Sequence, residues 1–137
     1  MSITTKQIGE FIDSIAGKKR TPAAVAGRLM EEVVELCLSV GMTSGEIHSH
    51  VTDSLTNQAM KTSKILGKPV YPSEMKLSQA SADVEDEVAD VKLVLLDLCH
   101  VTQSNLDAST IAKFDNLQTK KFLVSEAGTI YTVKPMI

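Results

Sequence analysis

The sequence predicts an all-α protein of about five helices with a small C-terminal β-hairpin, and three observations carry that prediction. Apolar residues recur at three- and four-residue spacing through most of the 137 positions. Helix-starting and helix-stopping residues stand where those stripes begin and end. Alternating β-formers are confined to the tail, FLVSEAGTIYTVKP.

The first helix is expected from Thr5 to about Ala16, with Ile8, Phe11, Ile12 and Ile15 on one side and Gly17 closing it. Lys18, Lys19 and Arg20 form a basic connector. Thr21 and Pro22 make an N-cap and first-turn pair for a second helix, whose stripe Val25, Leu29, Val33, Leu36 and Val40 runs to Gly41. Thr43 or Ser44 caps a third, with Ile47, Val51 and Leu55 on one face and the pattern weakening towards Gly67. The segment KPVYPSEMKLSQAS disfavours regular helix and reads as a loop suited to closing over a ligand. Ser81 is the expected cap of a fourth helix, with the stripe Val84, Val88, Val91, Leu95 and Leu98 running to about His100. A fifth begins near Ser104 or Asn105 and ends around Lys121. The hairpin turns at Glu126-Ala127-Gly128.

Composition narrows the possible roles. The length suits a single domain over residues 1–137, large enough to bury a core. Hydrophobic residues make up 43% and charged residues 23%, and no apolar run is long enough to span a bilayer, so no membrane partner is expected. The N-terminal residues carry no apolar signal core, which makes the cytoplasm the expected location. Cys37 and Cys99 sit inside apolar helical patterns, the usual setting of a small buried hydrophobe. With a net charge of −3 and no basic block to track a phosphate backbone, polymeric nucleic acid is not an expected partner.

The acidic residues fit this picture least easily. Glu31, Glu32 and Glu35 fall in the second helix, and Asp83, Asp86, Glu87 and Asp90 at or near the start of the fourth. Residues three apart on a helix stand about 5–6 Å apart between Cβ atoms, so Glu32/Glu35 and Glu87/Asp90 each form an edge of like charge. A divalent cation reverses that repulsion, and Mg²⁺ favours hard oxygen ligands of this kind. The competing reading is two solvated helix faces, which should carry compensating lysines one turn away; near Glu32 and Glu35 only Arg28 is close. On the residues alone the two readings stand level. A di-iron bundle requires Glu-x-x-His pairs, which are missing, and His48, His50 and His100 read as structural or surface residues.

EEVVEL (Glu31 to Leu36) together with EVADV (Glu87 to Val91) resembles the MazG family of all-α NTP pyrophosphatases, over roughly residues 21 to 121. The resemblance implies a MazG-type helical bundle in which Glu32, Glu35, Glu87 and Asp90 hold Mg²⁺, with Mn²⁺ as a substitute. It also gives Glu31 and Glu35 catalytic roles, Glu31 binding a further metal or orienting the attacking water. The implied reaction is hydrolysis of a (deoxy)nucleoside triphosphate to the monophosphate, releasing pyrophosphate or single phosphates. A homodimer or dimer of dimers is the implied assembly.

Two features depart from the family pattern. The 51 residues from Leu36 to Asp86 exceed its usual gap, as in short phage-encoded members. In the fifth helix Asn116 is out of step with the family's sugar-binding asparagine, leaving Lys113 and Lys120 as the better substrate-binding candidates beside it. Pocket shape rests on residues such as Tyr71 and Tyr131, and a purine deoxynucleotide such as dGTP is the first expected substrate. The alternative is a non-catalytic helical module that binds a nucleotide or a protein.

Overall fold

A computed structural model describes residues 2–17, 20–77, 83–126 and 130–132. It is mostly helical, as the apolar spacing predicts, and forms two compact units. One comprises Met1–Arg28 with Val84–Ile137, the other Leu29–Asp83.

The first unit begins with α1, Thr5–Ala16. Its start is fixed by a capping box: the Thr4 hydroxyl accepts from the Gln7 amide at 3.1 Å, and the Gln7 side chain accepts from the Thr4 amide at 2.9 Å. The helix stops at Gly17, whose φ of 65° is open to glycine. Helix α2, Pro22–Ser39, opens where the Thr21 hydroxyl accepts from the Ala24 amide, so the predicted Thr-Pro signal acts as read. The unit continues with α4, Val84–Thr102, and α5, Leu106–Leu117, the latter capped by the Asn105 side chain.

Helix α4 outlasts its expected end at His100 by two residues. Gln103, with φ of 55°, takes the left-handed position after it; its amide bonds to the His100 carbonyl, and the Ser104 amide to that of Cys99. This is a Schellman closure made without glycine, so no glycine marked it in the sequence. Helix α5 ends at Leu117, short of the expected Lys121, and residues 118–120 turn into the hairpin. There β1, Phe122–Val124, pairs antiparallel with β2, Ile130–Thr132, Phe122 facing Thr132 and Val124 facing Ile130. Phe11 of α1 ties these elements together, meeting Phe114 at 5.2 Å and Phe122 at 6.2 Å between ring centroids, both edge to face.

The second unit holds the rest of α2, then α3, Ser44–Leu66. Gly41, at φ 95°, ends α2 with a Schellman closure, the Met42 amide reaching the Cys37 carbonyl. Thr43 and Glu46 form the capping box of α3, and Gly67 closes it in the left-handed conformation. The Ser63 hydroxyl donates to the Ala59 carbonyl at 2.8 Å and accepts from the Val70 amide at 2.9 Å. That bridge folds the proline loop back along α3, where Pro72–Glu74 form a 3₁₀ turn. The expected cap Ser81 and the turn residues Ala127 and Gly128 lie outside the described residues.

The expected core is the main correction. Ala16, Ala59 and Phe114 are the buried apolar residues among those described. The stripes of α2 and α4 lie open: Leu29 and Val91 are each 49% exposed and Val88 61%. The periodicity located the helices correctly, but spacing along a helix does not say what covers its apolar side.

Candidate metal centre

Helix α4 starts on Val84 and carries Glu85, Asp86 and Glu87 in its first turn. Carboxylates there oppose the positive end of the helix dipole, an interaction worth about 0.3–1 kcal/mol in exposed positions, so local electrostatics favours acids at these places. Asp90 lies one turn further, beyond the reach of that effect. Asp86 and Asp90 are four apart and Glu87 and Asp90 three apart, which puts all three on one side of the helix.

The result is a cluster: one carboxylate oxygen from each of Asp86, Glu87 and Asp90 lies within 4.8 Å of the other two, and all three residues are exposed. Of the pair expected here, Glu87 and Asp90, both belong to it. Asp86 is an addition, its signal being the four-residue step to Asp90. The donor set fits a hard divalent cation such as Mg²⁺, which prefers carboxylate oxygens and keeps water in its remaining positions. Exposed acids are also common without any ion, and dipole stabilisation by itself favours Asp86 and Glu87 in the first turn.

Glu31, Glu32 and Glu35 occupy consecutive turns of α2 and are exposed. Helical geometry keeps the three within a third of the circumference. They belong to the second unit and the α4 acids to the first.

The substrate-binding candidates are also exposed. Lys113 lies on α5 beside a shallow depression that includes Ile8, Thr110 and Phe114. Asn116 is near the end of that helix, where its carbonyl accepts from the Thr119 hydroxyl at 2.8 Å. Lys120 follows α5 in the turn before β1. Tyr71 is 64% exposed, and the side chain of Tyr131 is outside the described residues. Cys37 and Cys99 are free, half-buried thiols.

No helix among the described residues is long and apolar enough to cross a membrane. Compared with protein-family models, curated proteins and solved structures, the chain matches none.

Proposed function

We propose that this chain is a Mg²⁺-dependent nucleoside triphosphate pyrophosphohydrolase that converts a (deoxy)nucleoside triphosphate to its monophosphate. The observation that carries the reading is the carboxylate cluster of Asp86, Glu87 and Asp90, in which one oxygen from each residue lies within 4.8 Å of the others. The Glu-x-x-Glu edge on α2 and its likeness to the MazG pattern support it.

In this reading Glu87 and Asp90, with Glu32 and Glu35, hold Mg²⁺ or Mn²⁺. The metal would supply charge neutralisation for the triphosphate. The residues contribute position: Glu31 and Glu35 orient and deprotonate the attacking water, and Lys113, Asn116 and Lys120 meet phosphate and sugar. The open stripes of α2 and α4 support a homodimer or dimer of dimers, since apolar helix faces of this extent are normally covered in a stable protein.

Incubation with a panel of ribo- and deoxynucleoside triphosphates tests the reading. Monophosphate should form with Mg²⁺ or Mn²⁺ and not with a chelator, and Glu35→Gln should abolish it. Turnover that survives the chelator, or the substitution, sinks the assignment. Tight nucleotide binding without turnover would favour a non-catalytic binding module.

A further inference from the structure

Within the first unit, α1, the first turns of α2, the end of α5 and the hairpin wall a cavity of about 210 Å³. Phe11, Ile12, Val25 and Phe122 are among its apolar lining residues, and Arg20 and Arg28 also border it. Among the described residues no Asp or Glu lines it, and no neutral hydrogen-bonding side chain does. Both guanidinium groups are already engaged: Arg20 donates to the Asp13 carboxylate at 2.5 Å, and Arg28 has an interaction of its own.

Charge, polarity, size and wall geometry each narrow the ligand. An anion entering here would compete with Asp13 for Arg20, and a cation would meet like charge with no acid in the lining. The cavity therefore matches an uncharged molecule. A polar ring fares poorly too, since each amide or hydroxyl buried without a partner costs about 1–3 kcal/mol. Apolar cavities of about 150 Å³ stay dry and take a benzene-sized molecule, so this one suits a single ring with a short substituent. Phe11 and Phe122 stand 6.2 Å apart between centroids with their planes at 79°. A flat ring lying parallel to one of them meets the other edge to face, which favours an aromatic over a saturated ring.

We propose that this cavity is a binding site for a small uncharged aromatic molecule, a single ring carrying at most a short apolar substituent. The site stands apart from the hydrolase reading above, because a nucleotide brings both the negative charge and the polar ring edges that these walls disfavour.

Titrations of the full chain with toluene, methylcyclohexane, benzoate, benzylamine and deoxyguanosine, followed by methyl NMR, test this directly. Toluene should shift the Ile12, Ile15 and Val25 methyl signals saturably and raise the melting temperature. Benzoate, benzylamine and deoxyguanosine should each bind at least roughly fivefold more weakly. Methylcyclohexane should bind at least about twofold more weakly than toluene once each is corrected for its own transfer from water to alkane. Ile12→Trp fills the cavity and should remove the toluene shifts at Ile15 and Val25. Circular dichroism checks that this variant folds, and if it does not, the shifts in the unaltered chain decide. Absence of saturable toluene binding, or shifts confined to other regions, would overturn the proposal. So would a charged or polar probe that binds as well as toluene, or a saturated ring of equal corrected affinity.

Discussion

Phe11 meets Phe114 edge to face, ring centroids 5.2 Å apart and planes at 84°, and this contact joins the first helix to the fifth. Phe114 is 8% exposed. Phe114→Ala removes the ring and leaves a cavity, which should cost about 3 kcal/mol of stability in urea titrations. Phe114→Leu should cost less than half of that. Equal losses would show that the aromatic ring itself, and not the volume it fills, carries the contact.

The closures of α2 and α4 share a hydrogen-bond pattern but differ in residue. Gly41 holds its positive φ without penalty, whereas Gln103 carries a side chain into the same region. Gln103→Gly should therefore stabilise the protein by about 0.5–1 kcal/mol, and Gly41→Ala should destabilise it by about 1 kcal/mol. Thermal denaturation of the two variants should give shifts of opposite sign.

Thr43 satisfies the amide of Glu46 at 3.1 Å, and Glu46 returns the bond to Thr43 at 3.3 Å. Thr43→Ala removes the first of these and leaves the second, which the backbone amide of residue 43 donates, at a cost of about 1 kcal/mol. Thr43→Ser should retain most of the stability. Hydrogen exchange at the first turn of α3 is the local readout, faster in Thr43→Ala than in Thr43→Ser.

Asp90 stands among like charges, so Asp90→Asn should stabilise the metal-free protein by a few tenths of a kcal/mol. The same substitution should remove most of the rise in melting temperature produced by Mg²⁺ in the unaltered chain, since a ligand that binds the folded state raises its stability. An equal Mg²⁺-dependent rise in both proteins would exclude Asp90 as a ligand.

Val88 and Val33, on the open stripes of α4 and α2, are 61% and 39% exposed. If a second copy covers these stripes, Val88→Glu and Val33→Glu should each convert an oligomer to a smaller species in sedimentation velocity. A monomeric unaltered chain would remove the assembly part of the proposed function.

Local features were legible in the sequence because they are enforced within one turn of chain. Thr21-Pro22, Gly41 and Gly67 each fixed a helix boundary through hydrogen bonds to residues at most a few positions away, and Thr43 proved to be the cap where the sequence offered Thr43 or Ser44. Gln103 was not legible, since nothing in a glutamine announces a left-handed conformation that the α4–α5 connection imposes. Asp86 was legible as an acid on the right helix but joined the cluster only when the α4 side chains were placed.

Sequence by itself determined the helical class, the caps and the spacing that makes edges of Glu32 with Glu35 and of Glu87 with Asp90. Those properties depend on backbone geometry and on neighbours three or four residues apart. Tertiary structure alone decided that Phe11 gathers Phe114 and Phe122, that Ser63 anchors Val70, and that the stripes of α2 and α4 remain open. Each of these depends on segments distant in the chain, where an apolar stripe states a need for burial without naming the surface that meets it.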